Sequence, residues 1–130
     1  MTGFEAVEYL HSFPRMGSGA SLTRMQALMA RLGNPEAGLK CVHIAGTNGK
    51  GTVATLTASI LRQAGYKTGL TISPYVLEFR ERFQINGEMI SWEELGQITT
   101  EICAAVDAME EIVAADYWPV PTYDDILFYV

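Results

Sequence analysis

Three glycines, a lysine and two threonines fall within the ten residues His43-Ile44-Ala45-Gly46-Thr47-Asn48-Gly49-Lys50-Gly51-Thr52. Residues of these types at this spacing can hold a polyphosphate. A nucleotide triphosphate presents several negative charges that must be approached closely, and glycine lets backbone N–H groups converge on phosphate oxygens without a Cβ in the way. Gly46, Gly49 and Gly51 supply that freedom. If a helix begins near Lys50, its unpaired N–H groups and positive end face the same anion. The Lys50 ammonium then adds a mobile charge for the terminal phosphates, and the Thr52 hydroxyl can reach phosphate or magnesium. Thr47 and Asn48 complete the loop. The reading is a phosphate-binding loop for ATP, with Mg2+ as companion ion.

The spacing departs from the general phosphate-loop pattern in two places. That pattern has glycine five residues before the Gly-Lys pair, where this chain has Ile44, and a hydroxyl residue directly after the lysine, where it has Gly51. A P-loop kinase or NTPase fits less well for that reason.

The elements that must position such a loop can be read on either side of it. Residues 41–45 form a short, mostly apolar run suited to a buried parallel strand, within which His43 reads as a packed, hydrogen-bonded residue. After the loop, Val53, Leu56, Ile60, Leu61 and Ala64 mark one face of a helix that stops at Gly65. Residues 67–72 read as a second strand, which makes a βαβ unit with a right-handed crossover. A Pro-containing loop follows, then a hairpin over 83–90 turning at Asn86-Gly87. Ser91 and Glu94 form a capping-box pair for a long helix with the stripe Leu95, Ile98, Ile102, Val106, Met109 and Ile112. Two helices precede the loop. Thr2 caps the first, with Phe4, Val7 and Leu10 on one face, and the second begins at Ser21 with Leu22, Met25, Leu28, Met29 and Leu32 as its stripe.

GTNGKGT after an apolar strand resembles the loop of the Mur ligase superfamily, and within it the folylpolyglutamate and dihydrofolate synthase family. The same family resembles this chain in Leu32-Gly33-Asn34-Pro35 before the loop, and after it in Thr71-Ile72-Ser73-Pro74-Tyr75 followed by Phe79-Arg80-Glu81-Arg82. The resemblance implies an α/β fold: a P-loop-type three-layer domain with a mostly parallel sheet flanked by helices, preceded by two short N-terminal helices. It divides the chain into a helical lead-in over 1–40, the strand, loop, helix and strand over 41–72, a substrate loop and hairpin over 73–90, and a helix leading into the next segment over 91–130.

The activity implied is ATP-dependent addition of L-glutamate to a folate or dihydropteroate carboxylate through an acyl phosphate. In family terms Lys50 stabilises charge on the transferred phosphate, and Ser73 and Asp125 are magnesium ligands with Thr52. Ser73, Pro74 and Arg82 face the acceptor substrate. Asp125 stands where the family usually has a glutamate, a hard oxygen donor with longer reach. Asp124 and Asp125 are also explained by acidic residues at a helix N-terminus. Arg80 and Arg82, alternating with Glu81, are equally read as a solvated ion-pair run. Tyr75 and Phe79 are read as packing rather than as a ring-stacking pair. The family is usually monomeric.

Composition limits the alternatives. The chain has 130 residues, a net charge of −6, nearly half apolar residues and two cysteines. An acidic surface excludes nucleic acid and anionic membranes as partners, because both need clustered Lys and Arg. Cys41 and Cys103 suit free thiols in a reducing cytoplasm. The remaining rivals are a Mur-type ligase for a peptidoglycan precursor, whose acceptor loop is not expected to read SPYVLEFRER, and a binding module without activity. Because Asp124 to Val130 stops inside an apolar run with no helix-ending signal, the chain is expected to be a truncated piece of the family's central domain, without the C-terminal glutamate-binding domain and inactive alone.

Overall fold

Thr2 and Glu5 exchange hydrogen bonds, Thr2 N–H to Glu5 Oε2 at 2.7 Å and Glu5 N–H to Thr2 Oγ1 at 3.2 Å, and this reciprocal cap opens the first helix, α1 (Gly3–Ser12). The computed structural model describes residues 1–12 and 22–116. The expected start of the second helix at Ser21 and the candidate ligand Asp125 lie outside the described residues. Helix α2 spans Leu22–Arg31 and ends where Gly33 turns to a positive φ and Asn34 N–H reaches back to Met29 C=O. Further along, α3 spans Lys50–Gln63, β1 Gly69–Leu70, β2 Gln84–Ile85, β3 Glu88–Met89 and α4 Trp92–Asp116.

The chain folds as two units. One comprises Met1–Leu39 and Trp92–Val130, the other Lys40–Ser91. Linear reading of the sequence treats the lead-in and the last helix as separate segments, whereas α1, α2 and α4 share one core. Leu10, Leu28, Leu95, Ile102, Val106 and Met109 are buried there. The expected stripe of α4 holds at these positions, with Ile98 only half-buried and Thr99 taking a core place instead. Thr99 is tolerated because its hydroxyl donates to Leu95 C=O at 2.7 Å. On α1 the buried face is Gly3, Ala6 and Leu10, while Phe4 stays exposed and stacks on Trp92 with ring centroids 4.6 Å apart. Gly3 and Gly96 mark the close approach: a Cβ on Gly3 would meet Trp92 O at 2.6 Å, and one on Gly96 would collide with Met1 O.

In the second unit, α3 closes as expected at Gly65, with Tyr66 N–H bonded to Leu61 C=O and Gly65 N–H to Arg62 C=O. The hairpin also forms at Asn86-Gly87, both with positive φ, in the register Gln84 opposite Met89 and Ile85 opposite Glu88. Two expectations are corrected. Residues 41–45 form no strand, and His43 is exposed rather than packed. The sheet of the described residues is antiparallel throughout, with β1 paired to β2 (Gly69 opposite Ile85, Leu70 opposite Gln84) and not to 41–45. A parallel strand is stable only when both faces are covered, and Cys41, Val42 and His43 are all exposed here. What captures β1 instead is local: Asn86 Oδ1 accepts from Thr68 N–H at 2.9 Å, and Asn86 N–H donates to Thr68 C=O at 2.8 Å.

Candidate functional site

Gly49 makes the loop turn into α3. It occupies the N-cap at φ 76° and ψ 4°, a left-handed conformation that glycine adopts without cost, and no side chain caps the helix there. The first helical bond is Val53 N–H to Gly49 C=O at 3.0 Å. Since the first turn of a helix has no intrahelical acceptors, the N–H groups of Lys50, Gly51 and Thr52 stand at its positive end without a side-chain cap. Gly46 is the second special position, at φ 155°. Lys50 Nζ folds across the loop to donate to Gly46 C=O at 2.5 Å, so the ammonium sits over the ring of residues 46–50. Thr47, Asn48 and Thr52 are exposed around it, and Gly51 has open space where a Cβ would be. The loop 46–52 thus combines an uncapped helix start with the Lys50 ammonium folded onto Gly46 C=O, and Thr47, Asn48 and Thr52 are exposed in it. That arrangement can hold a polyanion through charge-assisted hydrogen bonds.

The second cluster, 73–82, lies in the same unit. Ser73 and Pro74 are exposed and joined by a cis peptide bond. A 3₁₀ turn, Phe79–Arg82, follows the exposed loop. Phe79 and Phe83 are buried and meet edge to face at 5.7 Å, and Tyr75 meets Phe79 the same way at 6.0 Å, so Phe79 packs as read while Tyr75 stays exposed. Arg82 lies over both rings, 5.3 Å from the Tyr75 centroid and 5.9 Å from that of Phe79. Its Nε is buried without a hydrogen-bond partner. Arg80 is engaged elsewhere: its Nε donates to Glu78 Oε1 at 2.6 Å and its Nη1 to Ile90 C=O at 3.1 Å. The alternating arginines therefore part company, Arg80 tying down the hairpin and Arg82 lying over aromatic rings.

Two residues escaped the sequence reading. Glu81 accepts hydrogen bonds from Val76 N–H at 2.9 Å and from Leu77 N–H at 3.0 Å, and these backbone donors hold its carboxyl below the usual carboxylate range. Arg62 Nη1 donates to Asn86 C=O at 2.9 Å and joins the last turn of α3 to the hairpin. Only the position of Asn86 in the turn hinted at the second; nothing local distinguishes Glu81 from a solvated charge.

Magnesium calls for hard oxygen donors, which the Thr52 and Ser73 hydroxyls are. Among the described residues no three His, Cys, Asp or Glu side chains gather as a metal site. None of the described helices is long and apolar enough to cross a membrane.

No protein-family model matches the chain. Individual relatives do. The dihydrofolate synthase/folylpolyglutamate synthase of Bacillus subtilis is 39% identical over 107 residues, covering 82% of this chain and 25% of that protein. Among solved structures, a folylpolyglutamate synthase complex with AMPPCP and folate superposes with a TM-score of 0.88 at 33% identity, over 99% of this chain and 32% of its own. The Mycobacterium tuberculosis folylpolyglutamate synthase complexed with ADP gives a TM-score of 0.81 at 31% identity, over 98% and 28%. This chain belongs to the folylpolyglutamate and dihydrofolate synthase family. Its fold is that of the folylpolyglutamate synthases, seen here as a part carrying helices and a small sheet. It spans between a quarter and a third of the length of these family members.

Proposed function

We propose that this chain is the N-terminal part of the ATP-binding domain of a ligase that joins L-glutamate to a folate or dihydropteroate carboxylate. The observation that carries the reading is the loop 46–52, where an uncapped helix start, two glycines at positive φ and the folded-back Lys50 occur together in one short segment. The relatives bound to AMPPCP with folate and to ADP support the same ligands here. Gly46 to Thr52 cradle the phosphates of ATP, Lys50 offsets charge on the transferred group, and Ser73, Pro74 and Arg82 face the acceptor. Thr52, Ser73 and Asp125 would hold Mg2+, which supplies further charge neutralisation when bound.

In this reaction an acceptor carboxylate oxygen attacks the γ-phosphorus and the bond to ADP breaks. The glutamate amine then attacks the acyl carbon, loses a proton, and phosphate leaves with the electron pair of the C–O bond. Neither step needs a protein nucleophile, so positioning and electrostatics dominate.

Glutamate-dependent ADP release by the full-length protein, compared with dihydropteroate, tetrahydrofolate and a peptidoglycan precursor as acceptors, tests the proposal. Turnover with a pteridine acceptor is expected, and turnover with the peptidoglycan precursor alone would overturn it. The 130-residue chain by itself is expected to be inactive.

A further inference from the structure

Outside the phosphate loop, the most elaborate polar arrangement in the second unit surrounds Glu81. Its own backbone is fixed first: Glu81 N–H donates to Glu78 C=O at 3.1 Å, and its C=O accepts from Gln84 Nε2 at 2.9 Å. From that anchored base the carboxylate reaches back across the loop, Oε2 to Val76 N–H at 2.9 Å and both oxygens to Leu77 N–H at 3.0 Å. Charge-assisted bonds to consecutive backbone donors fix direction as well as distance, because both amides must point at one group. The two residues so fixed carry some of the most exposed large apolar side chains of the molecule, Val76 at 87% and Leu77 at 89%. The neighbouring charges are committed otherwise, Arg80 to Glu78 and Ile90 and Arg82 over Tyr75 and Phe79. The Glu81 backbone thus serves the turn in which it sits, while its side chain serves the loop. Apolar burial does not set the conformation of Val76 and Leu77, so the carboxylate is what sets it.

We propose that Glu81 is the positioning residue of the acceptor-facing loop, clamping the main chain at Val76 and Leu77 so that Ser73 to Leu77 meet the acceptor substrate already ordered. This rests on the ligase reading above. Glu81 itself need not touch substrate; it acts through two amides, so its loss must weaken acceptor binding and leave the nucleotide loop alone.

The test is Glu81→Gln in the full-length protein, with KM measured separately for acceptor and for ATP and with amide hydrogen exchange at Val76 and Leu77. Removing the charge from a doubly used acceptor is expected to raise the acceptor KM about tenfold, keep the KM for ATP within about twofold, and speed exchange at both amides. An unchanged acceptor KM, or the two KM values rising together as in a general loss of structure, overturns the clamp. Wild-type protein that releases no ADP with any pteridine acceptor overturns the ligase reading instead, and the clamp's role falls with it.

Discussion

The two units are held together by different forces. In Met1–Leu39 with Trp92–Val130, large apolar side chains from three helices are fully buried, Leu10, Leu28, Leu95 and Ile102 among them. In Lys40–Ser91 the described large apolar side chains that are buried reduce to Phe79 and Phe83, and α3 has no buried residue at all. Its stripe was expected to be a core face, yet Val53 is 49%, Leu56 59% and Ile60 68% exposed. What orders that unit is a series of polar bonds to main-chain atoms: Lys50 to Gly46, Arg62 to Asn86, Asn86 to Thr68, Arg80 to Ile90 and Glu81 to Val76 and Leu77. The residues with candidate chemistry sit where backbone hydrogen bonding, rather than packing, fixes the geometry. One unit should therefore respond to changes of volume and the other to changes of charge.

The largest expected effect breaks the first half of that contrast. Leu95→Ala empties a fully buried site and should destabilise the helical unit by about 2–5 kcal/mol, read by urea or thermal unfolding, whereas Leu56→Ala on α3 should stay within about 0.5 kcal/mol. Equal costs would mean that α3 is covered in solution. Next, Lys50→Ala should weaken binding of an ATP analogue by about tenfold to a hundredfold by calorimetry, with the unfolding midpoint of the helical unit unmoved. Gly96→Ala forces a methyl against the main chain of Met1 and should cost about 1–3 kcal/mol through overpacking.

A smaller effect concerns pH. Because the carboxyl of Glu81 is held below its ordinary range by backbone donors, its bonds contribute above the unfolded pKa of about 4.3 and are lost as pH falls through the lower folded value. Exchange protection at Val76 and Leu77 should then disappear in that acid window, and protection that persists well below it would assign the loop's order to something else. Glu78, Arg80 and Arg82 are the charges nearest in sequence, and Arg80 pairs with Glu78 at 2.6 Å. The weakest change is Thr2→Ala, which removes half of the α1 cap at about 1 kcal/mol.

Periodicity and turn chemistry made much of this legible beforehand. The stripe of α4, the stop of α3 at Gly65 and the Asn86-Gly87 hairpin all depend on contacts within a few residues, and such contacts are encoded locally. Residues 41–45 misled because an apolar run specifies that a segment prefers burial, not which neighbour buries it. The same reason explains the exposed stripe of α3. At the candidate site, the glycines and Lys50 were readable because a loop that turns directly into a helix leaves few conformations open. Arg82 could be suspected but not placed over Tyr75 and Phe79, and Glu81 was hidden, since a carboxylate four and five residues from its amide partners looks like any surface charge in an alternating run.

The bond from Lys50 to Gly46 C=O tethers the ammonium to its own loop. An ammonium carries three N–H donors, so the carbonyl engages one and leaves two for an arriving anion. For the polyphosphate proposed above, the consequence is entropic: a long lysine side chain already held in one place has less rotamer freedom left to lose when the anion binds.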